Sequence, residues 1–202
     1  MHINTYQTYQ RRGTAGAPVV LAFHGTGGDE LQFVGLIDEM LPQAGIVAPR
    51  GDVSEFGASR FFRRTAEGVY DMADLRQRTV QMLNFVSDVR NSYPDRAIYA
   101  LGYSNGANIL ASMLFENPDL FDRAALMHPL IPWTPQPQSR LKEKPVMISA
   151  GMQDPISPLN GSLALIEWFK AQEASVESVI APGGHQISSA ELGALRGFLR
   201  AA

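Results

Sequence analysis

Apolar residues in this chain fall in short unbroken runs, and between the runs they return at three- and four-residue intervals. The runs "VVLAFHG" from Val19, "GIVAPRG" from Gly45, "AIYALGYS" from Ala97, "RAALMHPL" from Arg123, "PVMISAGMQD" from Pro145 and "SVESVIAPGGH" from Ser175 predict strands. Most of them lack the alternation of a sheet with one wet face. An uninterrupted apolar strand is one covered on both faces, as in a parallel sheet between helix layers. The intervening stretches "LQFVGLIDEML", "DMADLRQRTVQMLNFVSDVRNSY", "NGANILASMLFEN", "NGSLALIEWFKAQ" and "SSAELGALRGFLR" predict helices. In the second, Met72, Leu75, Met82, Val86, Val89 and Tyr93 fall near one face, with Asp71 placed to cap the start. The alternation of strand and helix predicts an α/β fold with a mainly parallel central sheet flanked by helices and right-handed crossovers. The Pro-rich "HPLIPWTPQPQ" is a loop, and there is no internal repeat or linker.

Composition narrows the function classes. With 202 residues, 45% of them hydrophobic, the chain fills one substantial core and predicts a single domain over 1–202. A net charge of -3 gives no general attraction to nucleic acid or to an anionic membrane, so no nucleic-acid partner is expected. The absence of Cys excludes disulfides, thiolate metal sites and a cysteine nucleophile. "MHINTYQTYQRRG" lacks an apolar core of signal-peptide length, and no run approaches the roughly 20 apolar residues that span a bilayer. The expectation is a soluble cytoplasmic protein with no membrane insertion.

In an open parallel sheet the ligand site lies at the carboxyl ends of the strands. Each predicted strand runs into a polar segment there: "HGTGGDE", "PRGDVSEFGASRFFRR", Ser104, "HPLIPW", "MQDPISP" and "GGHQIS". The stretch "GYSNGAN" sets Ser104 between Gly102 and Gly106, after a buried strand and before a helix that opens with small residues. A G-x-S-x-G match alone is weak, but this is the context of a nucleophile elbow, whose backbone is too cramped for side chains at the two glycine positions.

A serine hydroxyl needs a base, and the base an orienting carboxylate. In a nucleophile elbow of this kind the chain order is serine, acid, histidine. His2 and His24 precede Ser104; His128 has only Glu116, Asp119 and Asp122 between it and the serine, none at a strand end. Asp154 ends the fifth strand and His185 comes after the sixth, so Ser104, Asp154 and His185 are the candidate triad. The oxyanion hole needs two backbone donors, and Asn105 and Thr26 stand in the right places. His24 is then a loop brace. A phosphate-cradle reading of "HGTGGDE" lacks both the Lys-Ser/Thr and the G-x-G-x-x-G frame.

These segments, in this order from Val19 to Ser189, resemble the carboxylesterase/phospholipase family of α/β-hydrolases, and within it the small hydrolases associated with hydroquinone resistance. "GYSNGAN" and "PRG" followed by "RFF" are the most specific parts. The resemblance implies the α/β-hydrolase fold in a minimal form without a large cap domain. It also implies hydrolysis of small carboxylic esters by Ser104, Asp154 and His185, with no cofactor and no metal. Candidate substrate contacts at the strand ends are Arg50, Arg60, Phe61, Phe62, Ile131, Trp133 and Ile156, each with ordinary packing as the competing role. Arg50 and Arg60 either brace their loop or hold the polar end of the substrate, while Arg63 and Arg64 read equally as solvated charges. The partner is a small-molecule ester, and a homodimer is left open. A thioesterase or lactone hydrolase using the same residues, or a silent ligand-binding homologue, are the alternatives.

Overall fold

A computed structural model describes residues 6–201; His2 lies outside the described residues. In chain order the strands are β1 (Thr8–Arg11), β2 (Val19–Phe23), β3 (Gly45–Pro49), β4 (Val53–Glu55), β5 (Ala58–Arg60), β6 (Arg64–Ala66), β7 (Val69–Tyr70), β8 (Ile98–Tyr103), β9 (Arg123–Met127), β10 (Pro145–Gly151) and β11 (Ser175–Ala181). The helices are α1 (Val34–Met40), α2 (Met72–Ser92), α3 (Asn105–Glu116), α4 (Leu159–Ala171) and α5 (Ser189–Arg200). One seven-stranded sheet runs in the order β1-β3-β2-β8-β9-β10-β11. β1 pairs antiparallel with β3, and every other pair in it is parallel.

The unbroken apolar strands have the cause inferred from their sequence. Along β2, Val19, Leu21 and Phe23 enter one core with the buried faces of α2, α3 and α4, while Val20 and Ala22 enter a second with α1 and α5. Each fully buried Leu, Val or Phe contributes roughly 1.5–3 kcal/mol through removal from water. α3 is enclosed most deeply, with every residue from Asn105 to Leu114 buried, which is why its sequence shows no polar stripe. Asp71 caps α2 by accepting from the Asp74 amide. None of the described helices is long and apolar enough to cross a membrane.

Four details differ from the sequence reading. β1, "TYQR", is a polar edge strand whose backbone pairing with β3 needs no apolar pattern. β11 has one neighbour and is largely uncovered rather than buried on both faces. Met72 sits in the first turn of α2 and is exposed, whereas Phe85 of the same helix is buried. The segment after β3 is not a plain loop, because it folds into the antiparallel hairpins β4–β5 and β6–β7.

The β8–α3 junction fixes the position of Ser104 by contact. A Cβ on Gly106 would lie 2.1 Å from the Phe23 carbonyl oxygen of β2, and one on Gly102 would lie 2.5 Å from the Gly106 oxygen. Both glycines are therefore required by close backbone approach. Gly106→Ala is expected to cost about 2 kcal/mol or more through overpacking, lowering the melting temperature by roughly 5 °C or more. Gly161→Ala, where a Cβ meets nothing within 4 Å, should leave the melting temperature unchanged or slightly raised; calorimetry on both variants checks the contrast.

Candidate active site

Ser104 joins β8 to α3 with φ 52 and ψ -117, a conformation that residues other than glycine avoid. Such a residue stores on the order of 1–3 kcal/mol of strain and persists only where its surroundings impose it. Here its amide donates to the Met127 carbonyl at 2.9 Å, and the Asn108 amide donates to the Ser104 carbonyl. The hydroxyl is thus turned out of the sheet end, where Ser104 Oγ lies 2.9 Å from His185 Nε2. His185 Nδ1 lies 2.7 Å from Asp154 Oδ2.

Two loops hold this line in place. The β10–α4 connection carries Asp154, whose Oδ1 accepts from the Ile156 and Ser157 amides, both at 2.9 Å. The β11–α5 connection carries His185, whose carbonyl accepts from the Tyr103 hydroxyl at 2.8 Å. The loops are tied together by the Met152 amide donating to Ala181 and the Gln153 amide donating to Gly183. Gly151 permits their approach, since a Cβ there would lie 2.1 Å from the Gly184 oxygen. Burial alone would raise the Asp154 carboxyl, but the Ser157 amide and the imidazoles of His185 and His128 outweigh it and hold the group below its ordinary value.

His128, set aside as a base on chain order, stands behind the acid. Its Nδ1 is 2.9 Å from Asp154 Oδ2, the oxygen that also meets His185, and its Nε2 is 2.8 Å from Glu191 Oε1. All three side chains are fully buried. Burial would lower the His128 imidazole, yet Glu191 and Asp154 leave it raised above its usual value. Burial would raise Glu191, yet His128 and Ser188 bring it down to about 2. Sequence reasoning missed Glu191, which reads as the N3 residue of a capping box with Ser188; that role is also present.

The β2–α1 loop supplies the opposite wall. His24 Nε2 accepts from the Gly51 amide at 2.9 Å and Nδ1 donates to the Gly25 carbonyl at 2.7 Å, so the ring braces this loop against the β3 end. Burial lowers its pKa, in keeping with a neutral ring. Among the described residues neither the Thr26 nor the Asn105 amide is taken up by a protein acceptor, and Asn105 N is the first of the unsatisfied donors that open α3. The Asn105 side chain is buried and accepts from the Phe61 amide at 2.7 Å.

A cleft of about 250 Å³ opens over Ser104 and His185. Of the expected contacts, Thr26, Arg60 and Ile156 line it. Arg60 is only 3% exposed: Nη1 donates to Thr26 Oγ1 at 2.7 Å, Nε donates to the Phe62 carbonyl at 3.2 Å, and Glu55 lies 3.5 Å away. The other expected contacts are elsewhere. Arg50 lies outside the cleft, drawn to Glu30 and Asp29. Phe61 and Phe62 turn into the core, against Phe23 and Tyr70, because burying two aromatic rings outweighs presenting them to solvent. Ile131 and Trp133 pack beside Leu165 and Trp168 around a separate hollow.

The cleft also uses Arg64, which read from the sequence equally as a solvated charge, and residues that the sequence reading passed over. Arg64 reaches its rim and pairs with Glu55 and Glu67. Asn108 Nδ2 donates to the Tyr70 hydroxyl, which donates to the Leu130 carbonyl, and the Leu130 amide donates to Asn108 Oδ1. This latch ties the β6–β7 hairpin to the β9 end. Asn108 stands four residues after Ser104 on α3, so helical spacing alone could have placed it beside the serine. Tyr70 carries no such signal.

Comparison with known proteins bears on the fold and the family. The sequence profile of the Dienelactone hydrolase family matches residues 6–186. The chain is 37% identical over 175 residues to the putative hydrolase MhqD of Bacillus subtilis (strain 168), covering 86% of this chain and 88% of that protein. The structure superposes on the Bacillus cereus carboxylesterase with a TM-score of 0.91 at 35% identity, covering 97% of this chain and 94% of that one. It also superposes on Atu2452 from Agrobacterium tumefaciens str. C58, a protein of unknown function, with a TM-score of 0.91 at 51% identity and 98% of both chains covered. The sheet order, the helix layers and these likenesses are those of an α/β-hydrolase of carboxylesterase type, and the chain belongs to the dienelactone hydrolase family.

Proposed function

We propose that this hydrolase is a serine carboxylesterase that cleaves small carboxylic esters through an acyl-enzyme on Ser104. The observation that carries the reading is the unbroken line from Ser104 Oγ through both nitrogens of His185 to Asp154 Oδ2, at 2.9 and 2.7 Å. His185 Nε2 takes the serine proton as Oγ attacks the ester carbonyl. Asp154 fixes the Nδ1–H tautomer and stabilises the imidazolium that forms. The Thr26 and Asn105 amides receive the oxyanion, each donor of this kind contributing about 3 kcal/mol to the transition state. His185 then protonates the leaving alcohol. A water takes the alcohol's place, gives a proton to His185 and attacks the acyl carbonyl; the bond to Ser104 Oγ then breaks, His185 returns the proton to Oγ, and the acid leaves.

The cleft of about 250 Å³ suits small acyl groups, and its rim of Arg64 and Glu67 suits polar ones. A lactone is an internal ester open to the same steps, and the name of the matching family favours it as the second reading.

A fluorophosphonate probe should label Ser104, with the buried Ser149 and Ser157 unlabelled. His185→Ala should slow the labelling sharply. Labelling that maps elsewhere, or that ignores the loss of His185, contradicts the reading.

Asp154→Asn should lose about ten-thousand-fold in kcat, because an amide favours the wrong imidazole tautomer. Asp122→Asn should be near neutral in kcat, since among the described residues its carboxylate accepts from Arg90 and the Ile98 amide, away from Ser104.

Arg60→Lys should lower the melting temperature and reduce turnover of plain and carboxylate-bearing esters alike, because the guanidinium braces Thr26 rather than reading substrate. Arg50→Ala should leave turnover nearly unchanged, because its half-buried pairing with Glu30 and Asp29 lies outside the cleft. A selective loss on carboxylate-bearing esters in Arg60→Lys would show that it contacts the substrate.

A further inference from the structure

The buried His128 lies between two carboxylates with no route to solvent. Its Nδ1 is 2.9 Å from Asp154 Oδ2 and its Nε2 is 2.8 Å from Glu191 Oε1. A neutral imidazole has one N–H, so one nitrogen would turn a lone pair toward a carboxylate oxygen in the dry interior. Glu191 shows the marks of an ionised group, since Oε2 already accepts from the Ser188 amide and hydroxyl, each at 2.8 Å. Nε2 and Oε1 lie at salt-bridge distance, and among the described residues neither buried atom has another partner. Two other titratable rings face it, Tyr103 at 5.9 Å and His185 at 5.2 Å. The His128 backbone is held from both sides, its amide donating to the Ser149 carbonyl and its carbonyl accepting from Ser157 Oγ. Like Ser104 it has a positive φ, 51, so the ring is kept in place at the cost of backbone strain.

We propose that His128 is a permanent imidazolium and acts as a positioning residue that holds Asp154 and balances its charge. The proposal relies on the esterase reading for the role of Asp154. With His128 charged, two carboxylates and one cation leave the cluster at a formal -1, and it becomes neutral when His185 receives the serine proton. Without that cation the cluster would rest at -2 and still carry a net -1 after the serine proton arrives, so the charge balance of the step would be lost. Glu191 keeps the imidazolium charged and, through Ser188, fixes the C-terminal end of the loop that carries His185.

The first test is the ring ¹⁵N spectrum of the full chain at pH 8, with His128 assigned by comparison with His128→Gln. The expected signal is that of a ring protonated at both nitrogens; a neutral tautomer overturns the proposal, and this measurement does not require the variant to be active. The second is the pH dependence of kcat/KM. Loss of a cation about 5 Å from His185 should move the acid limb of His128→Gln upward by about one pH unit or more, with activity partly recovered at high pH. A variant that merely melts earlier, with its acid limb unmoved, also overturns the proposal. A neutral ring in a protein that labels at Ser104 refutes this proposal alone. A charged ring in a protein whose Ser104 stays unlabelled refutes the esterase reading, and with it the positioning role.

Discussion

The arrangement at the strand ends depends on one buried carboxylate. Asp154 is removed from water and yet ionised, which is tolerable only because its two oxygens accept from the Ile156 and Ser157 amides, His185 and His128. Each donor comes with a piece of chain attached: the first turn toward α4, the loop after β11, and the end of β9. Satisfying the charge therefore draws three connections to one point beside Ser104. Removing any one donor would leave part of a buried anion unpaired, and the cost would fall on the geometry of the others.

The sheet supplies the rigidity on which this convergence rests. Because helices cover both faces, the parallel strands end together at one edge, and their connections have nowhere else to meet. Close backbone contacts then set positions that side chains could not. Gly106 lets α3 approach β2, and Gly151 lets the His185 loop cross the end of β10. The strain at Ser104 and at His128 is borne by this frame, consistent with backbone strain gathering where function needs a side chain held against its preference.

The parallel strands and the order of the polar residues at their ends were legible in the sequence because each has a local signature. An unbroken apolar strand announces two covers, and Gly102, Ser104 and Gly106 announce a cramped turn. Asp154 and His185 could be chosen by position along the chain. What stayed hidden depends on contacts across the fold. Phe61 and Phe62 read equally as cleft lining or core until Phe23 and Tyr70 were seen beside them. Arg50 and Arg60 stand at neighbouring strand ends, but Glu30 draws one away while Thr26 holds the other at the cleft. The pairing of His128 with Glu191 joins positions far apart in sequence, and no local pattern marks it.

The central claim is that hydrolysis passes through a covalent acyl group on Ser104. It is tested most directly by intact-protein and peptide mass spectrometry of enzyme quenched in acid during turnover of a slowly deacylating ester. The account predicts a mass increase of one acyl group, located on the peptide that carries "GYSNGAN" and absent in Ser104→Ala. Turnover with no acyl adduct, or with the adduct on another residue, would contradict it.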